Sequence, residues 1–244
     1  MQEFTSGGFL MNVLAIGCHP DDLEIACFGT LARCVGRGDT VTICHVANGS
    51  RGHVVIDPVR LREIRLEEAQ EAGRRIGASV CTLDIPDLEI NSRDSEQIKA
   101  LTELVRKIKP DFIITHSPQD YMQDHLEVQK LAFDASFSAS IWQQDDRPAG
   151  VAAITPLFYM DTLAGVNFLP TEYVDISSVI KDKLEALNCH HSQIDWMRDH
   201  DHIDFLDFVE TCSKYRGLQC GVRYAEGFQA AAVWPRLPVR RLLP

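Results

Sequence analysis

The chain has 244 residues, 45% of them hydrophobic and 24% charged, enough to bury a sizeable apolar core without covalent staples. Its formal net charge of −11 lacks the basic footprint of a general nucleic-acid binder or of a polybasic membrane contact. No apolar run is long enough to span a bilayer. The eight scattered cysteines form no CxxC pair and read as buried free thiols of a reducing cytoplasm rather than a disulfide framework.

The N-terminal stretch MQEFTSGGFLMN shows no basic region followed by a long apolar segment, so no signal peptide is expected. Residues 1–10 read as a flexible tail and residues 11–244 as a single α/β domain. The run NVLAIGC (12–18) predicts a strand buried on both faces. Apolar positions Leu23, Ala26, Cys27, Leu31 and Cys34 predict a helix over 22–36, closed by the glycines of GRGD (36–39). A second strand follows at 40–47, then a turn-rich loop, NGSRGH (48–53). Pro58 opens a long charged helix that Gly77 closes. The segment SVCTLDI (79–85) predicts a third strand, 96–109 a helix stopped by Pro110, and DFIITH (111–116) a fourth strand.

Later elements carry weaker patterns. A helix is expected at 125–142 and a strand at 154–161. A further helix is expected within 174–197, with Asp175 or Ser177 as its cap, and a last one within 200–221. Strands alternating with helices at this spacing predict a Rossmann-like, mostly parallel sheet flanked by helices, with ligands beyond the carboxyl ends of the strands.

Those strand ends are where the histidines and carboxylates gather. The first strand runs into HPDD (19–22). A histidine and an aspartate three residues apart, across a strand-to-helix turn, can face one point and suit Zn²⁺, with Asp21 beside the metal as a general base. The same residues also make a good turn and a good first helical turn, so this stretch alone leaves both readings open. The fourth strand runs into THSPQDYMQDHLEV (115–128), which adds His116, Asp120, Asp124 and His125 at the same sheet edge. The two clusters together favour a metal site with three protein ligands. Carboxylates after the first strand also argue against a nucleotide-binding Rossmann domain, whose turn there is glycine-rich.

On AIGCHPDD (15–22) and MQDH (122–125), the sequence resembles the PIG-L/LmbE-like zinc-dependent N-acetylglucosamine deacetylases. The segments NGSRG (48–52), IRLEEAQEAGRRIGA (64–78) and IPD (85–87) add to the likeness, and HHSQ (190–193) and GLQCGVRYAEGF (217–228) extend it more loosely. The resemblance implies Zn²⁺ held by His19, Asp22 and His125, with Asp21 as general base. It implies sugar contacts by Arg65 and Asp87; the alternatives are a surface helix charge for Arg65 and a turn cap for Asp87. It also implies hydrolysis of an N-acetyl group on a glucosamine-containing small molecule or glycoconjugate, by a cytoplasmic homo-oligomer without a membrane span.

One position departs from the pattern. The family's second motif often reads HPDH, and its first histidine is thought to stabilise the oxyanion or protonate the leaving amine; here Met122 stands in its place. His116, His190 or His191 could take over that role, with Asp124 as an accessory group. Alternatively the metal acts alone, or the reaction has changed or been lost. His190 and His191 are adjacent on an expected helix, so at most one faces the site. The cluster RDHDHIDF (198–205) reads as a solvated polar face. Two other functions stay open: an amidase for a non-sugar amide or thiol conjugate, and an inactive metal-binding relative.

Overall fold

The computed structural model describes residues 10–144 and 150–244; most of the expected tail lies outside the described residues. Among the described residues seven strands form one sheet: β1 (Asn12–Gly17), β2 (Thr40–Ala47), β3 (Ser79–Ile85), β4 (Phe112–Thr115), β5 (Leu157–Met160), β6 (Glu172–Asp175) and β7 (Ala225–Ala230). Their order is β3-β2-β1-β4-β5-β7-β6. The first five pair in parallel, whereas β7 is antiparallel to both β5 and β6.

The helices are α1 (Asp22–Ala26), α2 (Phe28–Arg37), α3 (Pro58–Ile76), α4 (Ser95–Ile108), α5 (Gln123–Ser138), α6 (Ile180–Leu187), α7 (His191–Asp199) and α8 (Phe205–Cys220). Strand alternation sorts the core into two layers. Val13 and Ala15 of β1 pack with Leu23, Phe28 and Leu31 on one face. Leu14 and Ile16 pack with Leu101, Val105, Val128 and Leu131 on the other.

The chain leaves β1 toward β2 and β3, then returns to lay β4 on the other side of β1. This reversal makes a crevice beyond the ends of β1 and β4, the usual ligand position in such sheets. HPDD follows β1 and the Asp120–His125 stretch follows β4, so the fold brings the two motifs to one crevice.

Several expected elements differ from those observed. The helix expected over 22–36 is broken at Cys27, whose φ is −145°. The cause lies far along the chain. The Glu226 carboxylate on β7 accepts the N–H groups of Gly29 and Thr30 and the Thr30 hydroxyl, at 2.6–2.9 Å, and so anchors a fresh helix start. The helix expected at 125–142 spans 123–138, and the strand expected at 154–161 is the shorter β5. Asp175 ends a strand, and the single helix expected around 174–197 is two, separated at His190 (φ −80°, ψ 59°).

Glu226 also receives the Lys183 ammonium at 2.6 Å, with both side chains almost fully buried. Removing one partner strands a buried charge. Lys183→Met is therefore expected to cost roughly 3–5 kcal/mol in urea-unfolding stability, most of it recovered by adding Glu226→Gln.

Candidate active site

The residues after β1 and β4 converge on the carboxylate of Asp22. Its Oδ2 accepts the His19 backbone N–H at 2.6 Å. Around the same oxygen lie His19 Nδ1 at 3.5 Å, His125 Nε2 at 3.3 Å and His116 Nε2 at 3.4 Å. Cys18, His19, Asp22 and His125 each offer a donor atom within 4.8 Å of the others.

The imidazoles are fixed from behind. Nδ1 of His125 lies 3.0 Å from Asp120 Oδ2, whose only available partner there is an N–H. In the neutral ring this leaves the lone pair at Nε2, which is buried, makes no hydrogen bond and lies 3.3 Å from Asp22 Oδ2. A buried, orphaned imidazole nitrogen aimed at a carboxylate and a second histidine is the donor set a divalent ion requires, with the carboxylate behind the ring that such ligands usually have. His19 is backed in the same way: its Nε2 lies 3.3 Å from Asp124 Oδ2, which also accepts the Leu88 N–H at 2.8 Å. Asp124, next but one to Met122, thus positions His19. Asp120→Asn should weaken metal binding by roughly 10–100-fold in a chelator competition assay, with the fold intact.

The two neighbouring carboxylates titrate far apart. Burial, and then the charge of Asp22, push the Asp21 carboxyl up to about 7, against the pull of Arg65, His190 and His19. Burial pushes Asp22 up as well, but His125, His116 and His19 hold it well below the usual carboxylate range. Burial disfavours charge on His125 as well, yet Asp22 and Asp120 raise it to about 9. Such a split leaves one carboxylate ionised and the other a group that exchanges protons near neutrality. Asp21 adopts φ 123°, a strained backbone that L residues rarely take and that tends to persist at functional sites.

These residues floor a cavity of about 460 Å³, within the range of small-molecule sites. Arg65 and Asp87 line it, as does Met122. Arg65 is not a surface charge. It is buried, donates to the Gln193 side-chain oxygen and lies 3.3 Å from the Gly52 carbonyl. Gly49 (φ +72°) and Gly52 make room for it, since a Cβ there would lie 2.4 Å and 2.7 Å from the Arg65 side chain. Asp87 accepts the N–H groups of Gly49 and Arg51 at 2.8 Å each, and so ties down the loop after β2.

The histidines considered for the role lost at Met122 are otherwise engaged or lie outside the cavity. His116 lines the cavity, but its Nε2 accepts the Cys18 N–H at 2.9 Å, and burial followed by the His125 charge lowers it to about 4. It is built to accept a proton bond rather than to give one. His190 is fully buried 3.5 Å from Glu24, outside the residues lining the cavity, and His191 is exposed. Within 198–205, residues 198–204 are exposed, in keeping with a solvated polar face, whereas Phe205 is buried and lines the cavity. Sequence reasoning gave no role to Asp120, Gln193 or Glu24. For Asp120 the signal was its place in a dense His/Asp stretch; Gln193 and Glu24 carried none that distinguished them.

The sequence profile of the PIG-L family, described as GlcNAc-PI de-N-acetylase, matches residues 14–136, just over half of the chain. The chain belongs to this family. Among curated proteins it is similar to diacetylchitobiose deacetylase of Thermococcus kodakarensis, at 28% identity over 89% of this chain and 82% of that one. It is also similar to 4-oxalmesaconate hydratase of Pseudomonas putida, at 24% identity over 93% of this chain and 90% of the relative. Among solved structures, N,N'-diacetylchitobiose deacetylase of Pyrococcus horikoshii superposes with a TM-score of 0.77 at 25% identity, covering 90% of this chain and 84% of that one. The two family motifs fall within or beside the matched span, and both meet at the Asp22 cluster. No helix among the described residues is long and apolar enough to cross a membrane.

Proposed function

We propose that this member of the family hydrolyses the N-acetyl group of a glucosamine-containing small molecule or glycoconjugate, with Zn²⁺ held by His19, Asp22 and His125. The observation that carries this reading is the unpartnered His125 Nε2 beside Asp22, with the Asp21 carboxyl on the same turn in the same cavity. A bound divalent ion supplies Lewis-acid polarisation of the amide carbonyl.

The chain's own residues do the rest. Asp21 takes a proton from the water that adds to the carbonyl carbon. Asp120 and Asp124 hold the imidazoles, and Arg65 and Asp87 face the sugar. As the C–N bond breaks, the amine nitrogen must gain a proton. Met122 cannot supply one, so we assign that transfer to Asp21 as well, which returns the proton it took. The products are a carboxylic acid and a free amine, which together ionise to a carboxylate and an ammonium. Metal-loaded protein releasing acetate from N-acetylglucosamine conjugates supports this reading; protein with full zinc content that releases none defeats it.

A second reading is hydration of an unsaturated acid. Met122 favours it, because adding water to a double bond needs no acid for a leaving amine, and one relative is named as a hydratase. Loss of ultraviolet absorbance from an unsaturated oxo-tricarboxylate, without acetate release from amides, would select it. We also place the protein in the cytoplasm, where its free thiols persist, and assign it as a homo-oligomer. Exposed Val233, Trp234, Leu237 and Val239 near the C-terminus support contact between copies.

A further inference from the structure

We propose that the side of the cavity next to β5 is an acyl pocket, and that the chain prefers amides whose acyl group is larger and more apolar than acetyl. The proposal rests on the amide-hydrolysis reading above and deepens it. An amide carries its two substituents on opposite sides of the scissile bond. β1 lies between β2 and β4, so the metal cluster at its end has two flanks.

On the β2 and β3 flank the cavity is mostly polar: Arg51 and Asp87 come from the loops after those strands, joined by Arg65 and Gln193, with Leu88 the apolar exception. On the β5 flank it is apolar: Met160 and Leu163 meet Ile25, Met197 and Phe205. The hydroxyls of a sugar amine match the first flank, so the acyl group falls on the second.

An acetyl methyl covers little of that wall. Ile25, Leu163 and Met197 stay only partly buried around the cluster of Leu187, Phe205 and Val209. The carboxylate on this flank, Asp161, is already engaged, with Arg216 Nε and Nη2 at 2.5 and 3.0 Å from its two oxygens. A second cavity of about 300 Å³ lies beside the first and shares Ile25, Ala26 and Asp161 with it. Methionine side chains adapt readily to apolar ligands of varied shape.

The test uses the full-length, metal-loaded chain with glucosamine bearing N-acetyl, N-butanoyl, N-hexanoyl or N-phenylacetyl groups. Amine release and calorimetric Kd are measured for each. The octyl glycoside of N-acetylglucosamine is included to put the apolar group on the other side of the amide. Burying a few methylenes should raise kcat/KM and tighten Kd by about tenfold or more from acetyl to hexanoyl. Leu163→Trp and Met197→Trp, each filling the lobe, should shrink the hexanoyl-to-acetyl ratio toward one.

A flat series, a preference for acetyl, or a gain confined to the octyl glycoside overturns the acyl pocket while leaving amide hydrolysis standing. Amine release from none of the amides defeats the hydrolysis reading instead. The Kd series then still decides the lobe, and hexanoyl binding no tighter than acetyl overturns it.

Discussion

Asp21→Asn is expected to lower amide turnover by roughly 10²–10⁴-fold while leaving one metal per chain, measured by acetate release and elemental analysis on the same preparation. The substitution keeps the shape of the side chain and removes its capacity to take a proton. Asparagine is also among the few residues enriched at positive φ, so it suits the 123° at this position better than alanine does. Asp21 belongs to the turn that carries His19 and Asp22, and the proposal gives it the reacting water rather than the ion. Turnover within a few-fold of wild type would remove it as the base.

His125→Ala should have the opposite signature. Metal content should fall well below one per chain, and turnover should fall with it. The loss of affinity should exceed the roughly 10–100-fold expected for Asp120→Asn, which only loosens the ring from behind. The substitution removes the Nε2 that lies buried beside Asp22 without a hydrogen bond. Stoichiometric metal in this variant, measured after dialysis against a weak chelator, would take His125 out of the ligand set.

The half of the molecule that builds the site was legible because its signals are local. Continuous apolar strands, Pro58 and Gly77 at the ends of α3, and polar strand ends each act within a few residues. HPDD and MQDH, a hundred residues apart, belong together because each follows a buried strand of the same parallel sheet. What escaped depends on distant partners. The break at Cys27 is imposed by Glu226, nearly two hundred residues away. β6 and β7 are short and antiparallel, and their mixed residues, EYVD and AEGFQA, carry no clean alternation. Arg65 sits in a charged helix and looks solvated, until the glycines of the β2 loop and Gln193 from α7 close over it.

Met122 shows the limit of motif reading most clearly. The sequence marked the missing histidine and offered three replacements. The fold gives His116 to the Cys18 backbone and buries His190 beside Glu24, and it leaves His191 exposed. Asp124 is not idle either, since it holds His19. A sequence shows which residue types are available near a site, but which of them are already engaged depends on packing.

The most direct test is to follow acetate and primary amine together, with metal-loaded wild type and Asp21→Asn acting on N-acetylglucosamine conjugates. Wild type should yield equal amounts of both products, and the metal-replete variant almost none. Neither product from wild type at full zinc content, or equal rates from the two proteins, would contradict zinc-assisted amide hydrolysis with Asp21 as its base.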